Sequence, residues 1–549
     1  MTQPDRKRSS TSSKISAPDE LQLNLFSAAP MGKTSVTKTA AQSGRRFISG
    51  DPGKIFIGPV RLEEYLKEAS QKAPFVVAEL LDGEDWKPFE ERYSAVGRAP
   101  YSPRAMLGLI LFGIMHGHHS LRELERFSRL DLGCMWVTGG IAPDHANIGR
   151  FIVMHEGLLT QVFESLTRRI LKKTGAGSHR LAGDGTVIEA ACSHYKLLRE
   201  EALKERAESA RRKLAESPDD PDAQRNAELS DECLKTYKER EQACKRSSRS
   251  TTTLRVSPTE PEAPVQRLKR GRGSAASYKP SILANESRII TAMAVDASSE
   301  TKVIGAMLDQ SGRVVGEQPK ELLLDGGYFD DGVIAATLER DISMLCSDGQ
   351  DPEEIKTGKG GVYAKSSFEY DASTDTYRCP AGQTLGLIKI YPGTDKTREF
   401  RLYTTRACEN CAKRAQCTKT KRREIRRHAE DEQRDALRAV MRQPKARAIF
   451  SKRQAMVEPV FGYLRAQQGL NRFRRRGMAG VTREFGLHVL AYNLARAVAL
   501  LKCLCVDPSA FQRLLLSLRR QFAKRATRTF DFLLPAELDA GIKLRSATI

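Results

Sequence analysis

Apolar positions along this chain change period from one region to the next, and the changes mark its elements. From Ile55 to about Leu158 they recur at helical spacing, as in Met106, Leu107, Leu109, Ile110, Leu111, Ile114 and Met115, then Leu121, Leu124 and Phe127. Ser102-Pro103 is a helix start, since Pro is tolerated in the first turn. Two short apolar runs end in Asp-Gly instead: Leu181 to Gly185 and Leu322 to Gly326. Each predicts a buried strand whose tip delivers a carboxylate, Asp184 or Asp325, to a cleft, with Gly letting another group approach closely. Asp296, after Met-Ala-Val, would end another core strand. Glu458, between Val457 and Val460, falls on a helix whose apolar neighbours pack against the sheet. Gly480 to Cys505 is the most apolar stretch, yet it holds Arg483, Glu484, Arg496 and Lys502, so it predicts a buried helix and not a bilayer span.

More than a hundred residues separate Asp184 from Asp325, and Asp325 from Glu458, which implies two insertions in one catalytic region. The first, about 195–277, predicts charged helices over Leu197 to Ser217 and Asp222 to Lys245, then a basic loop. A solvated hairpin is one reading; a DNA clamp or subunit contact is the other. The second, about 350–445, holds Cys379-Pro-x-Gly382 and then Cys408, Cys411 and Cys417. Soft thiolates suit tetrahedral Zn²⁺, although four unligated thiols would also fit the pattern. The remaining cysteines have no nucleophile context.

Composition narrows the partners. The 549 residues exceed one ordinary compact core, and Lys plus Arg (90) outnumber Asp plus Glu (68) for a net charge of +22. Such an excess suits a polyanion, because phosphate contacts supply most non-specific DNA affinity. The basic, Ser/Thr-rich start has no apolar signal core, so the expected location is the cytoplasm, in association with the nucleoid and not a membrane. Three oxygen donors such as Asp184, Asp325 and Glu458 can hold two Mg²⁺ or Mn²⁺ ions about 4 Å apart, leaving positions for phosphate.

The strings Asp-Gly-Thr-x-Ile-Glu-Ala (184–190), Asp-Gly-Gly-Tyr (325–328), Arg453 with Val-Glu-Pro-Val-Phe-Gly (457–462) and Phe-Arg-Arg-Arg-Gly (473–477) together resemble the DDE transposases of bacterial insertion sequences. The resemblance covers about Ile55 to Leu500, in a subgroup with a helical N-terminal domain and a Cys-containing insert before the catalytic Glu. It implies an α/β fold: an RNase H-like core with a helical N-terminal domain, a charged helical insertion and a small zinc-ribbon-like insertion. It also implies two-metal cleavage at the element's ends, and attack of the freed 3′-hydroxyl on target DNA, with Asp184, Asp325 and Glu458 as catalytic metal ligands. The expected partners are terminal inverted repeats, target DNA and further copies of the chain. Other readings are a nuclease that lacks strand transfer and a non-catalytic DNA-binding protein.

Domain bounds follow: a tail at 1–50, a helical DNA-binding or dimerisation domain at 51–158, the catalytic domain at 159–500, and a helical tail at 501–549. Arg453 and Arg465 bracket Glu458 within about two helical turns, so both are expected to reach phosphate; Arg472, Arg474, Arg475 and Arg476 are expected to bind the DNA backbone. In the polar tail, Gln22, Leu23, Asn24, Leu25 and Phe26 form an apolar island. They resemble the pentapeptide that docks bacterial proteins on the replication sliding clamp; a short helix folded on the protein's own surface is the alternative.

Overall fold

The computed structural model describes residues 47–504 apart from 95, 194–195, 248–249, 269–272, 349–362 and 394–397. The Gln22–Phe26 island and the tail beyond 504 lie outside the described residues. A mixed sheet forms the centre. Its main strands are β1 (Arg180–Gly185), β2 (Ser274–Asn285), β3 (Ile290–Asp296), β4 (Glu321–Leu324) and β5 (Ser343–Cys346). The spatial order is β3-β2-β1-β4-β5, antiparallel across β3-β2-β1 and parallel across β1-β4-β5. The long β2 also pairs near its start with two short strands, Ile188–Glu189 and Val265–Arg267.

Side chains alternate across the sheet, as the strand period requires. Leu181, Leu322 and Leu324 enter one apolar layer, built with Ile304, Met307 and Leu308 of helix α3 (Ile304–Val315). Ala182, Leu323 and Leu345 enter the opposite layer. That second layer is the larger, and it joins the sheet to the N-terminal helices: one core runs from Val77 to Val498. Helix α5 (Gly477–Leu504) packs on β3, on α1 (Pro103–Met115) and on α2 (Glu156–Thr174). The boundary expected near residue 158 therefore falls at the start of α2, inside a shared core. Among the described residues no helix is long and apolar enough to cross a membrane.

A buried amide ties this core together. Asn493 of α5 accepts from Ile290 N (2.9 Å), donates to Ile290 O (2.8 Å) and donates to Thr167 Oγ1 (3.1 Å). One side chain thus fixes the first residue of β3 against both helices, where an unpaired amide would cost about 1–3 kcal/mol.

The charged insertion is a helical hairpin, Glu200–Glu216 and Pro221–Arg246, close to the expected bounds. The second insertion is larger than a ribbon. It holds a five-stranded antiparallel sheet in sequence order: β6 (Glu369–Asp371), β7 (Thr376–Arg378), β8 (Thr384–Tyr391), β9 (Phe400–Thr404) and β10 (Ile425–Arg427), over a small core of Phe368, Tyr377, Leu385, Tyr403 and Ile425.

Candidate active site

Strands β1 and β4 are parallel neighbours, with Ala182 opposite Leu323. Two residues further on, the same register sets Asp184 beside Asp325 at the carboxyl ends, both on the face of Ala182 and Leu323. Over that face lies helix α4 (Arg453–Ala466), which buries Arg453, Met456, Val457, Val460, Phe461 and Leu464. Arg453 reaches down from its first turn. Nη1 lies 3.9 Å from Asp184 Oδ1 and donates to Gly183 O (3.2 Å), while Nη2 lies 4.0 Å from Asp325 Oδ2. A single guanidinium therefore stands between the two aspartates. Asp184 Oδ1 also accepts from Gly185 N (2.9 Å), and Asp325 Oδ1 accepts from Gly327 N (3.0 Å), so each carboxylate is held by its own turn.

Glu458 lies on α4 one residue past the buried Val457, and it is exposed. The structure thus brings together Asp184, Asp325 and Arg453, and it puts Glu458 on the helix that carries Arg453. Among the described residues no group of three or more Asp, Glu, His or Cys side chains is close enough together to hold an ion as it stands.

The other basic residues divide by what they touch. Arg465 Nη2 donates to Thr186 Oγ1 (2.5 Å) and to Val187 O (3.1 Å). Arg472 donates to Ala190 O (3.0 Å) and Cys192 O (2.6 Å), and Phe473 N donates to Glu189 O (2.8 Å). These two guanidinium groups, expected on DNA phosphate, brace the chain that leaves Asp184. Arg474 and Arg476 are exposed and Arg475 half-buried. Their turn is shaped from beneath by the buried Glu484 of α5, whose carboxylate accepts from Arg474 N (2.9 Å) and Arg475 N (2.8 Å). Burial pushes the Glu484 carboxyl up, against the opposing pull of those amides.

Two groups at the strand ends were not legible in the sequence. Cys346, the last residue of β5, donates its thiol to Asp325 O (3.0 Å), and burial pushes that thiol up to about 12, so it stays a neutral donor. Glu300, in the loop between β3 and α3, comes up to both Asp-Gly turns. Its segment, Ala-Ser-Ser-Glu, carries no periodic signal.

Far from the strand ends in sequence, Cys379, Cys408, Cys411 and Cys417 all line one cavity of about 20 Å³, room for one water or ion. Gly382, at φ +76°, closes the turn after Cys379: Gly382 N donates to Cys379 O (2.8 Å) and Gln383 N to Cys379 Sγ (3.3 Å). Burial raises the Cys417 thiol, and the three other sulfurs add to the rise.

Residues 378–498 match the family described as Transposase DDE domain, and residues 65–153 match the Transposase domain family DUF772. The first span includes Arg453, Glu458 and the four clustered cysteines; Asp184 and Asp325 lie between the two spans. No curated protein and no solved structure matches the chain. Transposase-family matches on each side of the strands that present Asp184 and Asp325 support an insertion-sequence DDE transposase.

Proposed function

We propose that the protein cuts DNA at the ends of an insertion sequence and joins the freed 3′-hydroxyl to target DNA, at a site formed by Asp184, Asp325 and Glu458 in an RNase H-like core. The observation that carries this reading is the pair of aspartates at adjacent parallel strand ends, facing one guanidinium from the helix that bears Glu458. All three donors are carboxylate oxygens, the set that hard divalent cations prefer. Mg²⁺ or Mn²⁺ bound there would supply Lewis-acid charge neutralisation and a lowered water pKa. The chain's own part is positional: Asp184 and Asp325 are fixed by their turns, Arg453 balances their charge, and Arg465 and Arg472 stiffen the segment behind Asp184. No covalent protein intermediate is required, so the rate comes from in-line placement of the reacting groups.

Arg474, Arg475 and Arg476 hold the DNA backbone on this reading, and the active species is an oligomer assembled on terminal repeats. Cys379, Cys408, Cys411 and Cys417 hold one structural Zn²⁺, which is supported by their shared cavity and the amide donated to Cys379 Sγ. Gln22, Leu23, Leu25 and Phe26 dock a sliding clamp. The test of the main reading is strand joining: full-length protein with Mg²⁺, labelled element ends and a target plasmid. Joint molecules are the expected product; cleavage without joining would make the protein a nuclease, and neither product would refute the catalytic reading.

A further inference from the structure

Both aspartates are followed by glycine, and one residue from elsewhere fills the space this opens. A Cβ at Gly185 would lie 2.6 Å from Glu300 Oε2 and 3.1 Å from Ser281 Oγ. A Cβ at Gly327 would lie 2.9 Å from Glu300 Oε1 and 3.0 Å from Asp325 Oδ1. The Glu300 carboxylate therefore sits between the two Asp-Gly turns with one oxygen toward each. Its Oε1 and Asp325 Oδ1 are no more than about 6 Å apart, a span that suits oxygens sharing a pair of ions about 4 Å apart.

The loop is built to place it there. Asp296, at the end of β3, accepts from Ser298 N (2.8 Å) and Ser299 N (2.7 Å), and the Ser299 and Thr301 hydroxyls are 3.1 Å apart. Among the described residues the cation paired with Glu300 is Lys279 of β2, whose Nζ is 3.7 Å from Oε1, a loose pair. A second feature marks the same spot. The Tyr328 hydroxyl and the Ser281 hydroxyl are both fully buried here, and the two interact with each other. Tyr328 feels the charges of Glu300, Asp184 and Asp325 together, so its hydroxyl belongs to this acidic niche. Mg²⁺, a hard cation that takes carboxylate oxygens and keeps several of its waters, suits such a niche.

We propose that Glu300 is a fourth carboxylate of the candidate active site, placed to help hold a divalent cation, with Lys279 as its counter-ion when no metal is bound. This rests on the catalytic reading of Asp184 and Asp325. The probe is Mn²⁺ titrated into the full-length chain, followed by calorimetry and by the electron paramagnetic resonance signal of free Mn²⁺. Glu300→Gln, which keeps the side chain's size, is expected to weaken binding at least about tenfold or to remove one ion. Lys279→Met, by deleting the competing cation, is expected to tighten it. Metal-free melting curves of the variants report whether they fold.

Unchanged Mn²⁺ binding in Glu300→Gln, alongside lost binding in Asp184→Asn, would overturn the role of Glu300 and leave the catalytic reading standing. Unchanged binding in Asp184→Asn would overturn the catalytic reading itself. Should Glu300→Gln fail to fold, Lys279→Met decides, since unaltered Mn²⁺ affinity there contradicts the proposal.

Discussion

Nη1 of Arg453, in the first turn of α4, lies 3.9 Å from Oδ1 of Asp184, in β1, although 268 positions separate them (453 − 184 − 1). The same guanidinium faces Asp325, so two carboxylates of adjacent strands depend on one buried cation. Replacing it with Met, of similar length, leaves their repulsion uncompensated. Both distances are at the long end of ion pairing and the Asp325 side chain is 40% exposed, so the loss is about 1–2 kcal/mol and not the larger cost of a tight buried pair. Melting curves of Arg453→Met are expected to fall without metal and to recover more with Mg²⁺ than the wild type does. Equal Mg²⁺ stabilisation in both proteins would count against a shared cation role.

The four-cysteine cavity makes a compositional prediction. Protein purified without chelator is expected to carry one Zn²⁺ per chain by atomic absorption, and Cys408→Ser/Cys411→Ser is expected to carry none. Because the small sheet rests on a core of five buried side chains among the described residues, metal loss should also expose it to protease. Zinc near zero in the wild type would reduce the four sulfurs to packing residues.

Glu484 ties the basic turn to α5 through two main-chain amides. Glu484→Gln substitutes a donor-bearing group beneath those amides and is expected to cost about 1–3 kcal/mol of stability. It should also loosen Arg474 to Arg476, and so flatten the salt dependence of DNA binding in gel shifts across a salt series. A variant that is less stable but binds DNA with wild-type salt dependence would separate the turn from the DNA.

His488 is fully buried, with Nδ1 2.9 Å from Gln468 Oε1, and burial, with Arg474 adding to it, holds its pKa down at about 3. In the unfolded chain the ring takes up its proton near 6.5. The unfolded state then binds more protons between those values, so the contribution of His488 to stability is complete above about pH 6.5. It is lost as pH falls through that value toward 3, by no more than about 1.4 kcal/mol per pH unit. His155, held down at about 4 by burial and then Arg92, acts in the same direction; the raised carboxyls of Glu260 and Glu484 act in the opposite one. The difference between wild type and His488→Gln isolates the effect: denaturant midpoints of the variant are expected to depend less on pH between 6.5 and 5. Parallel pH profiles would contradict it.

Local pattern made some of this site legible. The runs ending at Asp184 and Asp325 became β1 and β4, Val457 and Val460 turned inward on α4, and the stretch after Gly480 became the buried α5. What local pattern could not carry was contact at long range. Arg465 and Arg472 are expected on phosphate because charge clusters near Glu458; their hydrogen bonds to Thr186, Val187, Ala190 and Cys192 were not legible, because only the fold brings that segment near. Glu300 follows no apolar run, and the three-residue strands β6, β7 and β10 are too short to impose a period. The core that joins the N-terminal helices to the sheet is likewise a matter of tertiary packing.

Whether Asp184, Asp325 and Glu458 act as one site is read from Mg²⁺-dependent cleavage of labelled element-end DNA by Asp184→Asn, Asp325→Asn and Glu458→Gln, with gel shifts on the same DNA. Each change removes a charge at nearly constant size. Cleavage is expected to be abolished in all three while DNA binding stays close to wild type; near-normal cleavage by any one of them would remove that residue from the site.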